Sequence, residues 1–302
     1  MRRFIGRCIC TAALLAIPLG ASAAEGFKVK PLQTVIADEK GGDLKYPEGV
    51  ACDGKSLVVV ADTGNSRLVR YTYQDESLKG GSEIKIPQLT YPLRVQVAAG
   101  GAIFALDGKQ RRIVRLNGDG TFSGYMEPKG VSGGQGVIPR SFRVDGAGNI
   151  WILDILGARV LQLDGGGNVL RQVEFPKDYG FISDIEVTAS GDVLLLDSTN
   201  AAVFAARKGE GTALPLSQGL RDYLVYPTYL ATDSRGMIYV VDQNGGALVA
   251  LGGDGSFVGR QLAMGTKNGL LNYPGQFCIM PAGALLVADR NNSRLQLFTL
   301  GR

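Results

Sequence analysis

The chain has 302 residues, with 32 Lys and Arg against 28 Asp and Glu, 45% apolar residues, 43 Gly, 12 Pro and no His. That apolar fraction excludes a disordered chain, and glycines without a collagen period mark turns. With no His there is no Ser-His-Asp or Cys-His catalysis, no His-ligated zinc, copper or haem, and no imidazole switch, so any chemistry must use carboxylates, Lys, Tyr, Cys or a metal held by oxygen.

The first predicted element is a secretory signal peptide over residues 1–23. Arg2, Arg3 and Arg7 precede an apolar run from about Ile9 to Leu19, and Gly20-Ala21-Ser22-Ala23-Ala24 supplies the small residues of a cleavage site. The run is too short for a comfortable membrane span. Without those three arginines, 29 basic residues face 28 acidic ones. The basic footprint of a nucleic-acid binder is therefore absent. The expected compartment is periplasmic or extracellular, and a single domain fills residues 24–302.

After the signal, a short strand ending in Asp recurs six times, at Asp62, Asp107, Asp154, Asp197, Asp242 and Asp289, spaced 45, 47, 43, 45 and 47 residues apart. Sixteen residues before each Asp stands a bulky anchor: Tyr46, Tyr91, Ile138, Phe181, Tyr226 and Tyr273. All but Phe181 are followed by Pro. Gly- and Asp-rich turns such as Asp145–Asn149 and Asp164–Gly167 separate four short strands in each unit, and no helix of ten residues is predicted. Units of this length with four strands are propeller blades. The expected fold is all-β, a six-bladed β-propeller of four-stranded antiparallel blades. The last unit ends one strand short. Lys28–Ala37, lying before the first anchor, is expected to supply that outer strand and close the ring.

Tyr46-Pro47-Glu48-Gly49-Val50-Ala51 and Val59–Leu68, with Tyr273-Pro274 and Val287–Leu295, resemble NHL repeats. The Asp-x4-Arg of that family stands as Asp62/Arg67, Asp107/Arg112, Asp154/Arg159 and Asp289/Arg294, while Ala202 and Ala247 replace Arg in units four and five. The resemblance covers residues 28–300 and implies a six-bladed propeller, a fold that serves scaffolds, RNA binders, lyases and lactonases alike. The Asp and Arg of each pair are expected to bond structurally across the loop after the second strand.

Counting each anchor as zero, positions +4 and +6 of the first strand are apolar in every unit but at Thr232, and are expected to pack between blades. Positions +3 and +5 are then expected to face the channel. The +3 ring reads Gly49, Arg94, Ser141, Asp184, Tyr229, Gln276, and the +5 ring Ala51, Gln96, Arg143, Glu186, Ala231, Cys278. The candidate binding residues at the channel mouth are Glu48, Arg94, Arg143, Asp184, Glu186, Tyr229 and Gln276, with Arg143 and Glu186 expected to pair. Charges of both signs suit a zwitterion or a sugar acid. The anchors and Trp151 are expected in the core. Cys52 at +6 and Cys278 at +5 are expected to point to different sides of their strands and to stay unbonded.

Two functions compete. One is a non-catalytic secreted propeller, monomeric and without cofactor, that binds an envelope protein, a glycan or a small polar ligand on its loop face. The alternative is a calcium-dependent hydrolase or lactonase, because Glu48-Gly49 resembles the metal-binding Glu-Gly of the gluconolactonase family, and oxygen ligands suit calcium. The other blades offer Arg94, Ser141, Tyr229 and Gln276 where that family needs Asn and Asp, with only Asp184 suitable. No catalytic or metal-ligating set is assigned.

Overall fold

The computed structural model describes residues 26–133, 136–217, 219–281 and 283–301, so the expected signal peptide lies outside the described residues. The described residues form six four-stranded antiparallel sheets arranged as blades, with three single-turn 3-10 segments as the only helical structure among them. None of the described helices is long and apolar enough to cross a membrane. Five blades are built from consecutive strands. The sixth takes its outer strand from the N-terminus, where Lys28–Val35 pairs antiparallel with Arg294–Gly301. The N-terminal strand gives blade six the same four strands as the others and ties the two chain ends together. The fourth strand of blade four is reduced to Leu214–Pro215.

The fixed offset of sixteen has a bonding cause. The six aspartates at the ends of the second strands are fully buried. Each accepts backbone N–H groups from the segment that enters the same blade: Tyr91 to Asp107, Ile138 to Asp154, Phe181 to Asp197 and Tyr226 to Asp242, at 2.8–3.1 Å. Lys45 and Asn272, one residue earlier, serve Asp62 and Asp289. A buried carboxylate is tolerable only when its oxygens are this well supplied with donors.

Three of the four Asp-x4-Arg pairs form as expected: Asp62–Arg67 at 2.7 Å, Asp154–Arg159 at 3.1 Å and Asp289–Arg294 at 2.6 Å. The fourth does not. Arg112 pairs with Glu127, one residue past the next strand, and stacks on Tyr125, because Asp107 is already saturated by Thr90, Tyr91, Lys109 and Gln110. In blade five, where Arg is missing, Arg260 from the outer strand approaches Asp242 to 3.6 Å.

The hydrophobic core is divided among the blade interfaces, and it corrects the reading of the inner strands. Val50 and Cys52, at +4 and +6 of blade one, pack with Cys278, Leu286 and Ala288 of blade six. Ala51, at +5 of blade one, packs with Val95, Ile103 and Ala105 of blade two. Sheet faces in a propeller look at neighbouring blades, so +4 and +6 face the preceding blade while +3 and +5 face the following one. The cysteines therefore look toward each other. They form a disulfide, with Cα atoms 6.0 Å apart, between the first and last blades. The expectation of free thiols fails because it compared two neighbouring strands as if they shared one orientation.

Candidate functional site

The inner strands of blades two to five, Pro92–Val97, Pro139–Val144, Ile182–Val187 and Pro227–Thr232, each slip by one residue against their second strand near the top. The extra residue is Leu93, Arg140, Ser183 or Thr228, each two after the anchor. Blade six slips over Gly275 and Gln276, and Glu48 holds the equivalent place in blade one. A bulge breaks strict alternation and re-aims a side chain. Here it creates a ring above the +3 ring, so the channel holds three levels of side chains.

The middle level closes it. The carboxamide of Gln276 donates to the backbone carbonyl of Val95 at 2.8 Å and accepts its N–H at 3.1 Å, and donates to the Tyr229 hydroxyl at 2.9 Å. The Arg143 guanidinium donates to Asp184 at 2.8 Å, to Glu186 at 2.7 Å and to the Leu230 carbonyl at 2.8 Å, and lies over the Tyr229 ring. Asp184 also accepts the Ser141 hydroxyl and the Leu230 N–H. The expected Arg143–Glu186 pair is thus present. Arg143 reaches from blade three to blade five, which places it at the axis. Burial disfavours the charge of Arg143, but Asp184 and Glu186 hold its pKa above the usual range. Burial pushes the Glu186 carboxyl up despite Arg143, and pushes the Tyr229 phenol up to about 12. Below this plug, Gln96, Arg143, Glu186 and Thr232 border a small cavity of about 170 Å³ beside the disulfide.

Above the plug lies a blind pocket of about 340 Å³ lined by Glu48, Leu93, Arg94, Arg140, Tyr226, Thr228, Gln243, Tyr273 and Arg290. Of the sequence candidates, Glu48 and Arg94 reach this pocket. Arg143, Asp184, Glu186, Tyr229 and Gln276 form the floor and the cavity beneath it. Arg290 closes on Glu48 at 2.5 Å. Arg94 spans the channel, with one long contact of 3.4 Å to the Thr228 carbonyl and the Tyr229 ring beneath it. Burial and the neighbouring charge of Arg94 lower the pKa of Arg140.

Arg140 and Thr228 escape a reading by strict alternation, since the bulge that turns them inward leaves no mark in residue type. The anchors are also corrected. Tyr46 and Tyr273 are 46% and 39% exposed, with φ of 47° and 52°, in the left-handed region that a bulky residue seldom adopts. Tyr226 and Tyr273 line the pocket instead of packing between blades. Trp151 is buried as expected and donates to Asp145 at 2.9 Å.

The residues do not fit a bound calcium ion. Glu48 is the one carboxylate among the pocket-lining residues and is held by Arg290, while Arg94 and Arg140 add positive charge. Asp184 is committed below. No group of three or more metal-capable side chains occurs among the described residues.

No family model matches the chain, and no curated protein matches it significantly. Many solved structures do. A gluconolactonase from Xanthomonas campestris shares 13% identity over 91% of this chain and 96% of its own, with a TM-score of 0.65. A catalytically inactive virginiamycin B lyase from Staphylococcus aureus, solved with quinupristin, shares 13% over 90% and 99%, with a TM-score of 0.64. A protein of unknown function from Bacteroides thetaiotaomicron shares 13% over 91% and 76%, with a TM-score of 0.66. At such identities the likeness shows the six-bladed propeller fold.

Proposed function

We propose that the protein is a secreted or periplasmic propeller of NHL type that binds a small polar ligand in the blind pocket at the centre of its loop face. The observation that carries this is the pocket's construction. Side chains from separate blades converge on one concave, mostly polar space whose floor is sealed by Gln276, Tyr229 and Arg143. Convergent polar groups above a rigid floor are the usual form of a small-molecule site. A disulfide joining the first and last blades suits an oxidising compartment. The test is thermal-shift screening of the mature protein against small polar metabolites, compared with Tyr273→Ala and Gln243→Ala. Ligands that stabilise the wild type and not these variants support the site, and equal stabilisation of all three removes it.

A second reading makes the same pocket catalytic, and the comparisons favour it over a passive scaffold. The neighbours named by activity are a gluconolactonase and a lyase. The chain has no His, so a histidine-dependent reaction is closed to it. With the donors unsuited to calcium, the pocket carboxylate left for proton transfer is Glu48, poised by Arg290. Release of acid from a panel of sugar lactones, with and without added calcium and in Glu48→Gln, decides this. Turnover abolished in Glu48→Gln supports an enzyme. The absence of turnover on all lactones leaves the binding function.

A further inference from the structure

We infer that the pocket holds its ligand by an oxyanion, clamped by Arg94 and Arg140 with the Thr228 hydroxyl, and that the ligand class is a sugar-sized polyol carrying a carboxylate or phosphate. This rests on the pocket being a ligand site.

The first ground is a comparison within the molecule. Five arginines among the described residues are buried. Arg67 is paired with Asp38, Asp62 and Glu83, Arg143 with Asp184 and Glu186, Arg159 with Asp154, and Arg294 with Asp289. Arg94, 7% exposed, has no carboxylate partner among the described residues. Arginine does not discharge in proteins, so burying one without an anion costs stability that the rest of the fold must supply.

The second ground lies in Arg140 and Thr228. The buried Nε of Arg140 and the buried Oγ1 of Thr228 have no hydrogen-bond partner, and both residues line the same pocket. Arg140 rests over the Phe181 ring, 5.5 Å from its centroid, which fixes the guanidinium plane without satisfying its N–H groups. Buried polar groups are almost always paired, and two of the four unpaired side-chain atoms among the described residues belong to residues lining this one pocket, where a bound acceptor would supply the missing partner. Burial first, and then the like charge of Arg94, lower the pKa of Arg140. An oxyanion between them removes that repulsion and supplies acceptors to both forks.

The third ground is charge. Three guanidiniums and one carboxylate line the pocket, and Arg290 is spent on Glu48. The surplus lies at Arg94 and Arg140. The remaining wall, Tyr226, Gln243 and Tyr273, carries hydroxyl and amide groups suited to the body of a polyol.

The experiment measures the melting temperature and the affinity by calorimetry for D-galacturonate, glucose 6-phosphate and neutral glucose. It uses the wild type, Arg94→Met and Arg140→Met. Either or both anions should bind the wild type, and each substitution should weaken that binding by roughly ten- to a hundredfold. Ligand-free Arg140→Met should melt at the wild-type temperature or above, because it removes an unpaired charge. Preference for galacturonate assigns a carboxylate, and preference for glucose 6-phosphate a phosphate. If neither anion binds at millimolar concentration, or both variants bind them as the wild type does, the inference is overturned. If glucose binds all three proteins equally, the pocket stands as a ligand site and the oxyanion clamp falls.

Discussion

The side chain of Gln276 in blade six completes the backbone hydrogen bonds of Val95 in blade two, donating to its carbonyl at 2.8 Å and accepting its N–H at 3.1 Å. The amide crosses blade one to do so, and it passes where Gly49 has no side chain. A Cβ on Gly49 would lie 3.0 Å from both Gln276 Oε1 and the Leu93 carbonyl. One glycine thus admits the bridge that closes the channel.

Gln276→Ala should cost about 1–3 kcal/mol, because the Val95 N–H and C=O are left buried without partners. Gly49→Ala should cost about 1–3 kcal/mol by overpacking against groups that cannot retreat. The two losses should be less than additive, since both act on the same bridge. Urea denaturation of the single and double variants checks this, and full additivity would show that the amide and the glycine are independent.

Arg143 and Arg94 should behave in opposite ways. Arg143→Ala strands Asp184, which is fully buried, and Glu186, and should destabilise by about 3–5 kcal/mol. Arg94→Ala strands no carboxylate and should leave the chain folded, with a melting temperature close to that of the wild type. Equal losses in the two variants would place Arg94 in the structural network.

Cys52 and Cys278 close a loop of 226 residues in sequence separation and tie the last blade to the first. Denatured, non-reduced protein should show no free thiol at Cys52 and Cys278. Reduction, or the double variant Cys52→Ser/Cys278→Ser, should lower stability by about 2–5 kcal/mol. Free thiols at Cys52 and Cys278 in the unreduced protein, located by alkylation and peptide mapping, would exclude the bond.

Acid should unfold the protein more readily than neutral pH. Eight aspartates, among them Asp107, Asp145 and Asp233, have lowered pKa values, because hydrogen bonds to the charged form outweigh burial. A carboxylate depressed in the fold contributes stability above its unfolded value of 3.8, and that stability is lost as pH falls through the folded value. Glu186 runs the other way. Raised by burial, it favours the fold below its unfolded value of 4.5, and that contribution disappears as pH rises through the folded value. The partly buried Asp107, Asp145 and Asp233 lose their contribution as pH falls below about 4, so urea midpoints should fall there, and Asp145→Asn with Asp233→Asn should flatten that limb. A midpoint unchanged down to pH 2 would contradict the bonding of these groups.

Repetition at an unvarying offset made the blades legible in the residues alone. The offset of sixteen is a covalent distance between a buried Asp and the backbone it must hold, and no alternative packing can change it. The closing strand followed from counting, and the Arg143–Glu186 pair from placing charges at one level of adjacent strands. The orientation of those strands was decided only by the closed ring. Blades present opposite faces to their two neighbours, so Cys278 at +5 meets Cys52 at +6, and a count along one strand does not contain that relation. The pocket was likewise decided by the tertiary structure. One-residue bulges, set by the pairing of inner and second strands, turn Arg140 and Thr228 to the axis, where alternation along an isolated strand hides them.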